Sequence, residues 1–208
     1  MSDDGLLIKD IGIYFQYISL IMSCLYFKKY EKSTFYKYFI IYFLNIVVIN
    51  TIITIWFKFD NHWLYDIYTF FEFNIFALIY YHLIKEKKKL RILMIFVFIF
   101  NVIYFSSFYF SFINSIVIPL VGVFNSTFII LYFSELLNSD KILNYTKLFP
   151  FWMSVGFLLF YLTSVPFFTL LSLNMFDNRL MFPIIYYLTI VFHLVINYGL
   201  ITCNKINK

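Results

Sequence analysis

Seven runs of mostly apolar residues, separated by short charged or turn-forming segments, constrain what this chain can fold into. A helix needs about 20 such residues to cross the ~30 Å hydrocarbon core of a bilayer. Strands of a membrane barrel would instead alternate polar and apolar residues, and the segment ILMIFVFIF at residues 92–100 does not. The sequence therefore predicts an all-α bundle of seven transmembrane helices over residues 11–27, 35–57, 64–84, 92–110, 113–137, 150–171 and 181–202.

Composition excludes a soluble protein. Hydrophobic residues make up 62% of the chain and charged residues 13%, against about 45–50% and about 25% in soluble domains. Too few polar residues remain to coat a soluble surface. The longest connection, residues 138–149, is too short to bury a core of its own. We expect one transmembrane domain over residues 1–208 and no extramembrane domain.

Lysine and arginine indicate the orientation. Thirteen of them fall in alternate connections and at the carboxyl end, whereas the other side holds only Lys9, Lys58 and Arg179. By the positive-inside rule, the amino terminus lies outside and the carboxyl terminus in the cytoplasm. We expect a multi-pass protein of the inner (cytoplasmic) membrane. The count falls to six if the polar break at residues 106–114 is not a loop.

Glu72 lies inside the third run, where an ionisable side chain is costly and is a functional candidate by default. Asp66, Thr69 and Glu72 repeat every three residues and predict a polar seam on an aromatic helix. One interpretation is a carboxylate that binds a ligand or relays protons. The other is a protonated glutamic acid that holds helices together through a neighbouring tyrosine or asparagine.

The seventh run carries His193 with Asn197 one turn further along the same face. We hypothesise a polar pair between Glu72 and His193, and the alternative is a single hydrogen-bonded histidine. Asn125, in the fifth run, is a further binding candidate. The three histidines lie at three depths and cannot converge on one tetrahedral metal, so we expect neither a metal site nor a cofactor.

Four short patterns carry a resemblance: Tyr68-x-x-x-Glu72, Leu131-Tyr-Phe-x-Glu135-Leu, Pro150-Phe-Trp152 and His193-x-x-x-Asn197. Together they resemble short seven-span membrane proteins of Bacteroidota, often encoded near sensor histidine kinases. The resemblance implies a sensory or accessory role and leaves the chemistry open.

Three function classes follow. The first is a sensory or accessory bundle that binds a small molecule or lipid and acts through a membrane partner such as a sensor histidine kinase. The second is a small-solute transporter, which predicts a polar cavity at the midplane with access from alternate sides. The third is an intramembrane enzyme, which needs catalytic groups beyond Glu72 and His193. The net charge of +5 lies largely in short loops that face lipid headgroups, so we expect no nucleic acid partner.

Overall fold

A computed structural model describes residues 3–55, 62–172 and 178–203. These residues form seven long helices, a single-turn helix and a 3-10 helix. In chain order the α-helices are α1 (Asp3–Leu25), α2 (Phe27–Tyr30), α3 (Thr34–Ile55), α4 (His62–Leu83), α5 (Lys87–Ser107), α6 (Ser111–Leu137), α7 (Phe149–Ser172) and α8 (Asn178–Thr202), and the 3-10 helix covers Asp140–Lys147. For the described residues, the all-α prediction is confirmed.

Each long helix corresponds to one predicted apolar run, and six of them are long and apolar enough to cross a membrane. These six are α1, α3, α5, α6, α7 and α8, and they indicate a multi-pass membrane protein. Helix α4 is as long as α3, at 22 residues. It is less apolar, because it contains several tyrosines and the polar residues Asp66, Glu72 and Asn74.

The polar break in the middle of the chain is a turn. Helix α5 ends at Ser107 and α6 begins at Ser111, and the backbone N–H groups of Tyr109 and Phe110 both donate to the carbonyl oxygen of Ser106. The fourth and fifth runs are therefore separate helices, as predicted. The predicted end of the second run at residues 56–57, together with Lys58, Lys205 and Lys208, lies outside the described residues.

Successive long helices alternate in direction. Tyr38 stacks on His82 while Tyr42 bonds to Glu72, so α3 and α4 are antiparallel. Helices α1 and α8 are parallel, because their carboxyl ends lie together. Lys29, which follows the end of α1, donates its ammonium group to the carbonyl of Leu200, near the end of α8, at 2.9 Å. We call the end at which α1, α4, α6 and α8 begin the upper end. The lysine-rich connections then lie at the lower end.

Six of the long helices form a closed sequence of neighbours. Helix α1 packs against α3, α3 against α4, α4 against α6, α6 against α7, α7 against α8, and α8 returns to α1. Helix α5 packs against α4 and α6. Its opposite face exposes Ile95, Phe98, Val102 and Phe105, which is the surface expected of a helix in contact with lipid.

Aromatic rings pack together in the lower half of the bundle. Phe39, Phe76, Phe149 and Phe157 are all fully buried, and the Phe76 and Phe157 rings meet edge to face with centroids 4.8 Å apart. Phe76 lies one turn below Glu72 on α4, and Phe157 one turn below Tyr161 on α7. The packed rings are thus a floor beneath the polar groups described next.

Candidate functional site

Glu72 is held by two tyrosines from neighbouring helices. The residue is 8% exposed, and Oε1 accepts hydrogen bonds from the Tyr161 hydroxyl of α7 at 2.7 Å and the Tyr42 hydroxyl of α3 at 3.2 Å. The two hydroxyl oxygens are themselves 3.0 Å apart. Hydrogen bonds from α3 and α7 therefore meet at one carboxylate oxygen of α4, which fixes the side chain in place.

The number of protons in this cluster limits what it can do. Three oxygen–oxygen contacts join Glu72, Tyr42 and Tyr161, and the Tyr68 hydroxyl also bonds to the carboxyl group. The three phenols supply three protons for these four contacts. A further proton on the carboxyl group would occupy the remaining contact. Alternatively, an ionised carboxylate accepts the phenolic protons and keeps its charge for a cation. The arrangement is thus suited to holding either a proton or a positively charged group.

A cavity of about 230 Å³ lies beside this cluster, between α4, α6 and α7; we call it the Glu72 cavity. Its polar lining is Glu72, Thr69, Ser164 and Tyr161, and the rest is aromatic or aliphatic. Tyr65 and Ile118 line it and are 43% and 44% exposed, so its mouth is at the upper part of the bundle. Gly122 of α6 also lines the cavity, opposite Val165 of α7.

His193 makes its hydrogen bond to α1. Its Nδ1 lies 2.9 Å from Ser19 Oγ, and the Asn197 amide donates to the same Oγ at 3.0 Å. One assignment that satisfies both contacts has Asn197 donating to Ser19 and Ser19 donating to Nδ1, with the neutral imidazole carrying its proton on Nε2. In the other tautomer, Ser19 Oγ accepts from both Asn197 and Nδ1–H. Ser19 and His193 are 0% and 1% exposed, so this chain of bonds lies inside the protein.

A second, smaller cavity of about 110 Å³, the His193 cavity, lies between α1, α3, α4, α7 and α8. Tyr65, Tyr68 and Phe160 line both cavities. Tyr42 lines the His193 cavity while its hydroxyl donates to Glu72. The two cavities are therefore neighbours that share a wall of aromatic side chains.

The predicted Glu72–His193 pair is wrong for the described structure. Glu72 bonds to Tyr42 and Tyr161, whereas His193 bonds to Ser19 and packs its ring against Phe43 with centroids 5.5 Å apart. Helix α3 lies between the two residues: its Tyr42 contacts Glu72, and its Phe43 contacts His193. The sequence gives an expected depth for each residue along its own helix, but lateral neighbours cannot be read from depth.

The remaining predicted residues divide between the cavity and the packing around it. Thr69 lines the Glu72 cavity and donates its hydroxyl to the Tyr65 carbonyl at 2.7 Å. Asp66 contacts α5 through its backbone carbonyl, which accepts the Tyr104 hydroxyl at 3.0 Å. Asn125 is fully buried on α6, and its side-chain amide has no hydrogen-bond partner among the described residues.

Sequence reasoning missed the hydroxyl groups of the site. Tyr42, Tyr161 and Ser19 hold the two buried ionisable residues, and Ser164 lines the Glu72 cavity. The chain contains 19 tyrosines, so a tyrosine within an apolar run carries little information. The spacing of Tyr161, Ser164 and Val165 on one face of α7 was the available signal, but it equally fits ordinary packing.

Comparisons of this chain with protein-family models, with curated proteins and with solved structures find no match.

Proposed function

We propose that this protein is a seven-span protein of the inner membrane, with its amino terminus outside, that binds a small molecule in the Glu72 cavity. The role is sensory or accessory, and the bound state is read by a membrane partner such as a sensor histidine kinase. The observation that carries the proposal is the Glu72 cavity itself, an aromatic space with a fixed polar group on its wall.

Helix direction and charge support seven spans. Helix α4 is antiparallel to α3 and packs within the same bundle as the six apolar helices. Its polar side chains Thr69 and Glu72 line the Glu72 cavity rather than the outer surface of the bundle. The lower end carries the lysines of three connections, as a cytoplasmic face would.

The size and lining of the cavity support a small, mostly apolar ligand. An apolar cavity of about 150 Å³ binds benzene, so a cavity of about 230 Å³ has room for roughly nine non-hydrogen atoms by the same scale. A predominantly apolar wall with a few convergent polar groups is the usual form of a ligand site. Glu72, Thr69 and Ser164 are those groups here.

The packed lower half favours binding over transport. A solute leaving the cavity towards the lower end meets the fully buried rings of Phe76 and Phe157, so passage requires the helices to rearrange. Transport is therefore the second candidate. An intramembrane enzyme is less well supported, because Glu72 and His193 line different cavities.

Purified protein in lipid nanodiscs, screened by thermal shift against small fragments, tests the proposal. A ligand at 100 times its dissociation constant adds about 2.7 kcal/mol of stability. We expect Ser164→Leu, which fills the cavity, to abolish the shift. Thr163→Leu is the matched control, because Thr163 is exposed on the same helix turn and its hydroxyl also bonds to a backbone carbonyl.

Two outcomes contradict the proposal: no fragment shifts the wild type, or fragments shift Ser164→Leu as strongly as the wild type. If Ser164→Leu does not fold, Ile118→Trp serves instead. Ile118 lies at the exposed mouth, so a large side chain there blocks entry without disturbing buried packing.

A further inference from the structure

The lining of the Glu72 cavity contains one ionisable acid and no basic residue. Its members from α4, α6 and α7 are aliphatic, aromatic or hydroxyl-bearing apart from Glu72. The lysines of the lower end are separated from the cavity by the aromatic floor. An ionised Glu72 therefore has no protein cation at its own cavity with which to pair.

A buried carboxylate without a partner is costly. Removing a carboxylate from water costs several kcal/mol even after relaxation, and an opposite charge with good hydrogen bonding is needed to offset it. Two phenols already donate to Oε1, so the negative charge is partly stabilised and its position is fixed. The Tyr68 hydroxyl, one turn before Glu72 on α4, also bonds to the carboxyl group, but phenols carry no positive charge. Glu72 lines the cavity. An ionised carboxylate here still lacks a positive charge beside it.

Aromatic rings around the cavity favour the same kind of ligand. Tyr65, Tyr68, Phe160, Tyr161 and Phe168 all belong to the lining. The face of an aromatic ring attracts a cation, and the attraction is larger when both are removed from water. A carboxylate at one side and several rings around it form a site for an ammonium group attached to an apolar body.

Other ligand classes fit less well. An anion would meet the Glu72 carboxylate with no counter-charge in the lining. A metal ion such as calcium needs six to eight oxygen ligands, mainly carboxylates, carbonyls and water, whereas the lining offers one carboxylate, Glu72, and otherwise only hydroxyl oxygens. A neutral molecule would fill the space beside a protonated carboxyl group, but it would give an ionised Glu72 no counter-charge.

We propose that the ligand of the Glu72 cavity is a small organic cation, an amine with a compact apolar or aromatic body, whose ammonium group pairs with Glu72. This inference rests on the proposed function, because it assigns the chemical class of the ligand for the same cavity. The inference depends on charge pairing at Glu72 alone. It can therefore be disproved while the proposal of small-molecule binding in the Glu72 cavity is retained.

Benzylammonium and benzyl alcohol are the test probes, since they have the same number of non-hydrogen atoms and differ in charge. Calorimetric titration of the nanodisc-embedded protein, corrected with empty nanodiscs, gives both affinities. We expect the wild type to bind benzylammonium at least tenfold more tightly than benzyl alcohol. Glu72→Gln should lose that preference. Glu135→Gln, the same change at the lower end of α6, should retain it.

Each result decides between the two proposals. Equal affinity for both probes in the wild type, or a preference that survives in Glu72→Gln, overturns the cation assignment and leaves a neutral-ligand site. The cation assignment is also overturned if benzylammonium does not bind while a neutral fragment binds the wild type and fails to bind Ser164→Leu. If neither probe nor any fragment binds, the proposed function itself fails.

Discussion

Hydroxyl groups from neighbouring helices hold both of the buried ionisable side chains. Glu72 is held by Tyr42 and Tyr161, and His193 by Ser19. In a bilayer no water reaches such groups, so each donor or acceptor has to find a protein partner. At the residue scale, serine and tyrosine therefore matter more to this bundle than its few charged residues.

Ser19→Ala should be markedly more destabilising than Ser23→Ala. Both serines are fully buried on α1, but the Ser23 hydroxyl donates only within its own helix, to the Ser19 carbonyl. The Ser19 hydroxyl joins Asn197 and His193 of α8. Its loss leaves the buried His193 and the part-buried Asn197 without that partner and should cost about 1–3 kcal/mol, whereas Ser23→Ala should cost less than about 1 kcal/mol. Thermal unfolding of both variants measures this, and equal losses would show that the α1–α8 bond contributes nothing.

The sequence predicted the ionisable members of this network but not their partners. Glu72 and His193 stand out because ionisable residues are rare within apolar runs. Tyr42 and Tyr161 come from helices far apart in the chain, and finding them requires knowing which helices are neighbours. A hydropathy pattern gives the position of a residue along its own helix and contains nothing about that lateral order.

At the scale of single helices, a close approach between α7 and α8 depends on Gly199. A Cβ atom added there would lie 2.7 Å from the Trp152 Cβ, which belongs to the first turn of α7 and cannot move without its backbone. At Gly12 of α1, the nearest atom to an added Cβ is the Tyr186 carbonyl oxygen at 3.9 Å. The two glycines thus have different structural roles in otherwise regular helices.

Gly199→Ala should therefore lower the free energy of unfolding by about 1–3 kcal/mol, the usual cost of overpacking. Gly12→Ala should be neutral or stabilising by up to about 1 kcal/mol, because alanine loses less backbone entropy in a helix. Thermal unfolding in one lipid composition compares them. If Gly199→Ala is as stable as Gly12→Ala, helices α7 and α8 do not approach each other as closely as the structure shows.

A change in hydropathy predicts a helix boundary well only where the helix ends with the apolar run. Where the helix continues past the run, its true end lies several residues beyond the predicted one. Helix α5 begins at Lys87, before the predicted start at residue 92, because lysines extend a helix into the headgroup region while keeping their charges in water. Helix α1 begins at Asp3 rather than residue 11. Apolar runs therefore predict the membrane-embedded part of a helix better than its ends.

At the scale of the molecule as described, the Glu72 and His193 cavities both lie in the upper half and fully buried aromatic rings lie beneath them. A further cavity opens at the lower end, beside Lys32, His82 and Glu135. Glu72 and His193 lie near the boundary between the two halves, where each side chain can face a cavity while its neighbours below are fully buried. This division suits a protein that admits a ligand from one side. The orientation of the bundle then determines from which side a ligand enters, because the cavities are accessible from outside the cell only if the upper end faces outward.

Single cysteines introduced into a Cys24→Ala, Cys203→Ala background test that orientation. A membrane-impermeant maleimide should label Lys9→Cys and Lys58→Cys in intact cells, and Lys88→Cys and Lys147→Cys only after the membrane is opened. Position 58 precedes α4 and position 88 follows it, so this pair reports on α4 alone. If both label alike, α4 does not cross and the chain has six spans. A complete reversal of the pattern would place the cavities towards the cytoplasm, and the ligand would then have to be an intracellular amine.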